Sequence, residues 1–443
     1  MIHTGKNTVV LGLGRSGEAA ANLLKEEGAN VTILESSDSE VLRKKAVEIE
    51  SRGIRVVLGP SADAAPLPYD LAVVSPGIDP LTPLYSRVVE CGIPLIGEIE
   101  LAFQECTTPV VAITGSNGKT TTTELTTAML QSCGVRTIAS GNIGLPFSEA
   151  VRQCPNLDVM VLEVSSFQLE TIRTFRPQVS AWLNLSPNHL DRYAGMAEYR
   201  AAKLRVFENQ TSEDTAVVNA ASELPRLKAR KITFSATQPD ADFTLRGTEI
   251  FFQGKRILDQ NATRLRGVHN AENLMAALGI GLALNVELEI IADAVTTYSA
   301  PAHRCELVLE AEGITWINDS KATNLDAMGM ALRSQGRPVV LIAGGKDKGF
   351  TFDAVAPLVK ERVRSVCLIG EMRHRIAESW NGVDCTLCQS LEEAVATAHN
   401  QAQPGDVVLF SPGTSSFDMF RDYTERGNLF KELVQAITRK PAA

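Results

Sequence analysis

Short runs of β-branched and other apolar residues alternate with amphipathic stretches of helical length along most of this chain. Strands that are separated by helices cannot pair through tight turns, so this order predicts parallel sheets built from βαβ units. The chain has 443 residues, which is more than one hydrophobic core usually serves. The sequence therefore predicts an α/β fold with about three consecutive domains.

The predicted strands fall into three groups. They are residues 8–11, 31–34, 56–58 and 71–74 in the first group, residues 110–113, 159–162, 181–185 and 216–218 in the second, and residues 314–317, 339–342, 366–369 and 407–410 in the third. Around residues 243–252 the spacing changes and indicates a small side sheet. Turn chemistry near Gly97 and Pro301 places the domains at residues 1–97, 98–300 and 301–443.

Charge and hydropathy exclude several classes of protein. The formal net charge is -9, so the chain lacks the basic excess of a nucleic-acid-binding protein. No apolar run approaches the roughly 18 residues of a membrane span, and the first residues show no signal-peptide pattern. We therefore expect a cytoplasmic protein that binds small molecules and neither nucleic acid nor membrane. We also expect a monomer, although neither charge nor hydropathy determines the oligomeric state.

The eight cysteines are scattered, and one pair, Cys385 and Cys388, has CxxC spacing. A structural zinc site would need a second pair or a histidine partner at metal-site spacing, and neither follows. Reduced and mostly buried thiols are the better interpretation.

A glycine-rich loop follows the predicted strand 110–113 and precedes a helical stretch. Its residues are Thr114, Gly115, Ser116, Asn117, Gly118, Lys119, Thr120 and Thr121. Glycines let backbone N–H groups surround phosphate oxygens, and the helix N-terminus adds partial positive charge. Lys119 would neutralise β- and γ-phosphates, and the Thr120 hydroxyl would bind Mg²⁺. Ile113 stands where the Walker pattern has its first glycine, so the match is incomplete.

A second glycine string, Gly12-x-Gly14-x-x-Gly17, follows the first predicted strand. It also fits a dinucleotide-binding turn, with Glu35 near the position of a ribose-binding acid. Taken alone, this string would favour a nicotinamide-dependent dehydrogenase. Hydride transfer does not need a phosphate loop with a Mg²⁺-binding hydroxyl, so the second domain makes that interpretation less favourable.

Eleven further strings, together with the phosphate loop, resemble the Mur ligase family, and in particular its D-glutamate-adding member. They are residues 12–17, 75–77, 141–144, 162–169, 188–193, 199–203, 269–273, 303–304, 318–324, 344–348 and 411–418. Each string alone is weak evidence, whereas all of them in order along the whole chain are strong evidence.

The resemblance implies an ATP-dependent amide ligase of peptidoglycan precursor synthesis. It would add D-glutamate to UDP-N-acetylmuramoyl-L-alanine through an acyl phosphate. The implied domains are a Rossmann-like N-terminal domain for the UDP-substrate, a central ATPase domain of the P-loop type, and a Rossmann-like C-terminal domain for the amino acid. Other Mur ligases, a folylpolyglutamate-type synthase, a nicotinamide enzyme and a nucleotide-binding regulator without ligase activity remain as alternatives.

The resemblance also implies roles for individual residues. For the UDP-substrate they are Arg15, Ser16, Gly17, Glu35, Ser75, Asn142 and His189. For ATP they are residues 115–121 of the loop with Asn270, Asn273, Arg304, Asp319 and Lys321. Two Mg²⁺ ions would be held by Thr120, Glu163, His189 and Lys203, the last as a carbamate, and catalysis would depend on Lys119, Glu163, His189 and Lys203. D-glutamate would be bound by Thr323, Lys348, Ser416 and Tyr423.

Several of these residues also have an ordinary structural interpretation. Glu35 and Glu163 could be solvated strand-end carboxylates, and His189 could be a packing or surface residue. Lys203 could be a solvated helix lysine. Asn270 could cap a helix, and Tyr423 could serve packing alone or contact the amino acid through its backbone.

Overall fold

The computed structural model describes residues 2–186, 192–298, 302–333, 335–347 and 352–437. The predicted site residues His189 and Lys348 lie outside these ranges, as does the predicted boundary at residues 300–301. The chain forms two compact units, residues 1–299 and residues 300–443. None of the helices in the described ranges has the length and apolar character needed to cross a membrane.

The first sheet has five parallel strands in the order β3-β2-β1-β4-β5. The strands are β1 Asn7–Leu11, β2 Asn30–Glu35, β3 Arg55–Leu58, β4 Leu71–Val74 and β5 Leu95–Gly97. The helices are α1 Arg15–Glu26, α2 Glu40–Glu50, α3 Pro60–Asp63, α4 Pro83–Glu90 and α5 Glu98–Glu105. Apolar residues are buried on both faces of this sheet, as expected for parallel strands covered by helices.

The second sheet has nine strands in the order β14-β13-β12-β11-β10-β9-β6-β8-β7. They are β6 Val110–Thr114, β7 Thr137–Gly141, β8 Val159–Glu163, β9 Val179–Trp182, β10 Thr215–Asn219, β11 Arg230–Ser235, β12 Phe243–Arg246, β13 Glu249–Phe252 and β14 Lys255–Asp259. The helices are α6 Lys119–Ser132, α7 Phe147–Gln153, α8 Ser166–Leu169, α9 Met196–Leu204, α10 Val268–Ala283 and α11 Leu288–Thr297, with 3₁₀ turns at Arg205–Phe207 and Gln260–Ala262.

The sheet of the second unit has six strands in the order β15-β16-β20-β17-β18-β19. They are β15 Glu306–Ala311, β16 Ile314–Asn318, β17 Val339–Gly344, β18 Val363–Ile369, β19 Asp384–Leu387 and β20 Val407–Phe410. Strand β15 is antiparallel to β16, and the other neighbouring pairs are parallel. The helices are α12 Leu325–Arg333, α13 Ala356–Arg362, α14 Arg373–Ser379, α15 Leu391–Gln401 and α16 Tyr423–Ile437, with a 3₁₀ turn at Phe352–Val355.

The predicted α/β class with three sheets is confirmed, and two local predictions are wrong. The strands around residues 243–252 do not form a separate side sheet, because β12 pairs in parallel with β11, and β13 and β14 continue the central sheet as antiparallel strands. The strand predicted at 181–185 is β9 Val179–Trp182. It ends early because Asn184 turns towards the glycine-rich loop, where its side-chain oxygen accepts from the Asn117 N–H at 2.9 Å.

Helix α5 connects the first two sheets through two buried carboxylates. Glu98 accepts a 2.6 Å bond from the Ser148 backbone N–H at the start of α7. Glu100 accepts the backbone N–H groups of Arg173, Thr174 and Phe175 at 2.8–3.0 Å. Burial raises the pKa of Glu98 to about 6, although the bond from Ser148 opposes the rise. The connection between the two sheets therefore contains a carboxyl group whose neutral form is more favourable than it would be in water.

We predict that Glu98→Gln stabilises the first unit at high pH. The raised pKa means that Glu98 contributes most to stability below pH 4.5, and that this contribution is lost as the pH rises through about 6. The rise from 4.5 to about 6 corresponds to about 2 kcal/mol. The parent should lose about this much stability relative to the variant between pH 3 and pH 8, as measured by chemical denaturation. Glu50→Gln on the exposed part of α2 is the control, and an equal pH dependence in both variants would contradict the assignment.

Candidate active site

The central site is built where strands β6, β8 and β9 end side by side. Residues 115–118 of the glycine-rich loop connect β6 to α6, and Glu163 is the last residue of β8. Because parallel strands end at one edge of a sheet, residues that are distant in sequence meet here. The site therefore depends on strand order, with β6 between β8 and β9.

The glycine-rich loop is held in shape by its neighbours. The Ser116 N–H donates to the Asn184 carbonyl at 3.0 Å, and the Ser116 hydroxyl bonds to the Ser186 carbonyl at 2.9 Å. Gly118, with φ of +82°, caps helix α6, and a Cβ there would lie 2.4 Å from the Asn273 side-chain oxygen. Gly118 is therefore required both by its backbone conformation and by the close approach of α10.

Lys119 folds back onto this loop. Its ammonium donates to the carbonyls of Gly115 and Ser116, each at 2.9 Å, and the residue is only 9% exposed. Burial lowers the pKa of Lys119, and the nearby Glu163 carboxylate opposes that effect. Lys119 is therefore not a surface charge, because its side chain is packed inside the loop that it follows.

Glu163 contacts the residue that follows Lys119 at the start of α6. It is 1% exposed, and its two oxygens accept from the Thr120 hydroxyl at 2.7 Å and from the Asn142 amide at 2.6 Å. The interpretation of Glu163 as a solvated strand end is therefore wrong. A hydroxyl and a carboxylate at hydrogen-bond distance are the oxygen ligands that Mg²⁺ prefers, so Thr120 and Glu163 fit a magnesium site.

Across the described ranges, no group of three or more His, Cys, Asp or Glu side chains comes together as a metal site. Thr120 and Glu163 alone cannot complete the shell of a metal ion. Substrate phosphates and water usually fill the remaining positions around Mg²⁺ in nucleotide sites.

Lys203 lies on α9, directly behind the loop. Its ammonium donates to the Gly115 carbonyl at 2.9 Å and lies 3.5 Å from the Thr114 hydroxyl. Burial lowers the pKa of Lys203 well below 10.5, Lys119 lowers it further, and Glu163 opposes both effects. The solvated-lysine interpretation is wrong, since the residue is 1% exposed.

Tyr199 was not assigned a role from the sequence. Its hydroxyl lies 3.2 Å from the Ser116 hydroxyl, and the Lys203 nitrogen lies 4.9 Å from the centre of its ring. Tyr199 and Lys203 are four residues apart on α9, a spacing that places both on the same helix face. The four-residue spacing from Lys203 could therefore have predicted from the sequence that Tyr199 also faces the loop.

Asn270 and Asn273 lie together on α10, as their spacing predicts. The Asn273 amide donates to the Asn270 oxygen at 3.1 Å, while the Asn273 oxygen accepts from Thr122 at 3.1 Å. The residue that caps α10 is Gly267, so Asn270 is not the capping residue. Contact of this pair with adenine stays a prediction.

The glycine turn of the first sheet lies between β1 and α1. The Glu35 carboxylate accepts the backbone N–H groups of Leu13 and Ser37, both at 2.9 Å, so it is not merely a solvated strand end. Arg15 donates to the Gly144 carbonyl at 3.0 Å, which connects the turn to the loop that contains Asn142. Ser16 lies in the first turn of α1. The glycine turn is thus held by Glu35 of the first sheet and by the Gly144 carbonyl, which follows β7 of the central sheet.

Ser75 and Gly17 make the turn compact. A Cβ on Gly17 would lie 2.0 Å from the Gly12 carbonyl and 2.7 Å from the Ser75 hydroxyl. The Ser75 hydroxyl is buried and has no hydrogen-bond partner among the described residues. A buried hydroxyl without a partner beside a glycine turn suits a ligand oxygen.

The second unit has its own polar site at the ends of β16 and β20. The Asp319 carboxylate accepts from the Ser411 hydroxyl at 2.7 Å and from the Cys305 N–H at 3.1 Å. Burial raises the pKa of Asp319 to about 6, and the bond from Ser411 opposes the rise. Lys321 is exposed, and Thr323 precedes α12.

Ser416 and Tyr423 lie further along the chain in the same unit. The Ser416 carbonyl accepts the N–H groups of Met419 and Phe420 in one isolated turn, and the helix that follows, α16, begins at Tyr423. The Tyr423 carbonyl accepts from the Ser320 hydroxyl at 2.8 Å. The Arg426 guanidinium donates to the hydroxyl and the carbonyl of Ser320. Neither Ser320 nor Arg426 was assigned a role from the sequence.

Three family models match the chain. They are "Mur ligase MurD-like, N-terminal domain" at residues 6–97, "Mur ligase middle domain" at 113–281 and "Mur ligase, glutamate ligase domain" at 303–413. Together they cover most of the sequence, including the glycine turn, the glycine-rich loop and Asp319.

Curated relatives match over nearly the full length. A UDP-N-acetylmuramoylalanine–D-glutamate ligase of Geobacter metallireducens is 42% identical, and one of Geotalea uraniireducens is 43% identical, each over 98% of both chains. Among solved structures, UDP-N-acetylmuramate-alanine ligase from Thermotoga maritima aligns with a TM-score of 0.53 at 19% identity, covering 98% of this chain and 100% of its own. A murein peptide ligase from Psychrobacter arcticus aligns at 0.52 and 15% identity, covering 99% and 100%.

The two solved structures support the fold, and the family models and curated relatives support the family. The nicotinamide-enzyme alternative is therefore wrong, although the first glycine string alone would have favoured it. From the geometry of its three sheets and from these matches, the chain belongs to the Mur ligase family.

Proposed function

We propose that the protein is an ATP-dependent ligase that adds D-glutamate to UDP-N-acetylmuramoyl-L-alanine in peptidoglycan precursor synthesis. The relatives that share 42–43% of its residues carry the name of this activity. The structural observation that carries the proposal is the glycine-rich loop with Lys119, Thr120 and Glu163 at the edge of the central sheet. We place the domains at residues 1–97 for the UDP-substrate, 98–300 for ATP and 301–443 for the amino acid, in a cytoplasmic monomer.

The proposed reaction has two steps. A carboxylate oxygen of the L-alanine group attacks the γ-phosphorus of ATP, the bond to the bridging oxygen breaks, and ADP leaves. The D-glutamate nitrogen then attacks the carbonyl carbon of the acyl phosphate, loses a proton, and inorganic phosphate leaves with the electron pair of the broken C–O bond. Positioning and charge stabilisation account for most of the rate enhancement in such transfers.

In the proposed site, residues 115–121 bind the ATP phosphates through backbone N–H groups at the start of α6. Lys119 turns from its two carbonyl partners towards the phosphates. Asn270 and Asn273 are proposed to bind adenine, and Arg304, Asp319 and Lys321 are proposed as further ATP-binding residues.

Thr120 and Glu163 would hold one Mg²⁺, and His189 with a carbamate on Lys203 would hold a second. Bound Mg²⁺ would lower the repulsion between the phosphates and the attacking carboxylate. The oxygen atoms of Thr120 and Glu163 and the low pKa of Lys203 support this assignment.

The UDP-substrate would bind at the glycine turn through Arg15, Ser16, Gly17 and Glu35, and further along through Ser75, Asn142 and His189. Two carboxylates distinguish D-glutamate from most amino acids, so an ammonium group and several N–H or O–H donors suit it chemically. Thr323, Lys348, Ser416 and Tyr423 are proposed as its site.

Release of inorganic phosphate tests the proposal directly. With the purified full chain and Mg²⁺, release should require ATP, UDP-N-acetylmuramoyl-L-alanine and D-glutamate together, and omission of any one should abolish it. Equal release with L-glutamate, meso-diaminopimelate or L-alanine would contradict the assignment of the amino acid. Release that does not depend on the muramoyl nucleotide would contradict the ligase assignment.

We predict that Lys119→Met lowers kcat/KM by about a hundredfold or more, since loss of one electrostatic stabiliser of a transition state has that effect. Methionine keeps most of the buried stem of Lys119, so the melting temperature should change little. Lys231→Met on β11 of the same sheet is the control, because Lys231 is exposed. Near-parental turnover in a folded Lys119→Met protein would exclude Lys119 from the phosphate site.

We further predict that Lys203 carries a carbamate in the active enzyme. A carbamate forms on the neutral amine, and the lowered pKa of Lys203 increases the neutral fraction near pH 7. Carbon-13 bicarbonate should give a carbamate NMR signal in the parent enzyme that is absent from Lys203→Ala. That variant should be nearly inactive, and acetate should restore part of the activity. A parent enzyme without the signal and fully active in bicarbonate-free buffer would refute the prediction.

A further inference from the structure

Four side chains pack together between α8 and α9, and we call Phe167, Glu170, Arg192 and Tyr193 the Arg192 cluster. The Arg192 guanidinium donates to the Glu170 carboxylate at 2.7 Å and lies 4.2 Å from the centre of the Phe167 ring. The Tyr193 hydroxyl bonds to the other Glu170 oxygen, and its ring stacks on Phe167 with centroids 5.9 Å apart. The cluster thus holds the guanidinium in one place with both charge and aromatic contact.

The guanidinium also crosses to the first sheet. A second nitrogen of Arg192 donates to the Pro76 carbonyl at 3.4 Å and to the Ile78 carbonyl at 3.2 Å. These carbonyls belong to the loop 75–78, which follows β4, and the Ile78 N–H closes that loop on the Ser75 carbonyl at 3.0 Å. Arg192 therefore fixes a loop of the first sheet from the central sheet.

The loop 75–78 borders the glycine turn of the first sheet. A Cβ on Gly12 would lie 3.1 Å from the Ile78 side chain and 3.2 Å from the Ser75 hydroxyl. That hydroxyl is the buried group without a partner among the described residues. A shift of the loop would move both the wall of the glycine turn and this hydroxyl.

We propose that Arg192 is a positioning residue for binding of the muramoyl nucleotide. It does not contact the nucleotide itself but holds the loop 75–78 in place. The inference rests on the proposed function, because it concerns the same UDP-substrate. Arg192 sets the position of Ser75 and Ile78 relative to the central sheet. Its loss therefore lowers the affinity for the nucleotide substrate and leaves the affinity for ATP unchanged.

Arginine suits this role better than lysine. Its planar fork reaches the Glu170 carboxylate with one nitrogen and two backbone carbonyls with another, while its face rests on Phe167. A lysine ammonium has one nitrogen and cannot make these contacts together. The Arg192 side chain is only 14% exposed, so solvent screens its bonds weakly.

The test compares two arginines that both cross to the first sheet. Arg173 donates to the Leu95 carbonyl at 3.0 Å, at the start of β5 and away from the loop 75–78, so Arg173→Ala is the matched control. Binding of UDP-N-acetylmuramoyl-L-alanine alone is measured by calorimetry, and KM values for ATP and D-glutamate are measured in the ligase assay. Hydrogen exchange at residues 75–79 reports on the loop itself.

We expect Arg192→Ala to weaken binding of the nucleotide substrate by about tenfold or more, as loss of buried charged hydrogen bonds does. The KM for ATP should stay within about twofold, and exchange at 75–79 should rise. Arg173→Ala should change none of these values. Arg192→Lys should fold and show an intermediate loss, which provides the measurement if the alanine variant does not fold.

Two results would overturn the inference. One is unchanged nucleotide binding in folded Arg192→Ala and Arg192→Lys, and the other is an equal loss in Arg173→Ala, which would indicate general loosening between the sheets. A parent enzyme that does not bind UDP-N-acetylmuramoyl-L-alanine would instead overturn the proposed function, so the two failures are distinguishable.

Discussion

The central site depends on one carbonyl oxygen, that of Gly115, which accepts hydrogen bonds from both Lys119 and Lys203 at 2.9 Å. Two amine groups close to each other and largely removed from water are unfavourable when both are charged. Glu163 is the carboxylate that opposes this effect at both lysines. The loop therefore disfavours charge on both amines at once, which suits phosphate binding by Lys119 and carbamate formation on the neutral amine of Lys203.

This arrangement explains why so much of the fold is needed to build a small site. Strand β6 delivers the loop, β8 delivers Glu163, and α9 brings Lys203 from behind. Helix α10 places the side chain of Asn273 close to Gly118. Helix α5 and the Arg192 cluster then hold the first sheet against the central one, so the glycine turn keeps a fixed relation to the phosphate loop.

The sequence predicted much of the fold because parallel strands are buried on both faces and appear as apolar runs, as in residues 71–74 and 407–410. It missed β15 because Glu306–Ala311 has only a short apolar run between two glutamates, and it extended β9 too far because Leu183 and Leu185 are apolar. The glycine-rich loop and Glu163 were identifiable from local patterns. The burial of Lys119 and Lys203 was not, because it depends on β6, α6 and α9 packing together.

The partners of single residues were the least predictable part. From the sequence, Glu35 could equally be a ligand-binding residue or a solvated carboxylate. Its hydrogen bonds with the N–H groups of Leu13 and Ser37 form only in the folded turn, so the sequence alone does not reveal them. Tyr199 and Arg192 stand inside strings that the resemblance had already marked, yet their contacts cross between elements that are distant in sequence. Such contacts follow from strand order, which a single sequence encodes only indirectly.

The most direct test of the charge arrangement is the effect of Mg²⁺ on ATP binding by the parent enzyme and by Glu163→Gln, measured by calorimetry. Glutamine keeps the size of the side chain but removes the charge; its oxygen can still accept from the Asn142 amide, while its NH2 group would donate to the Thr120 hydroxyl. If Glu163 and Thr120 hold Mg²⁺, the metal should strengthen ATP binding in the parent enzyme, and the variant should lose most of that enhancement while still binding metal-free ATP. An equal enhancement by Mg²⁺ in both proteins would contradict the account.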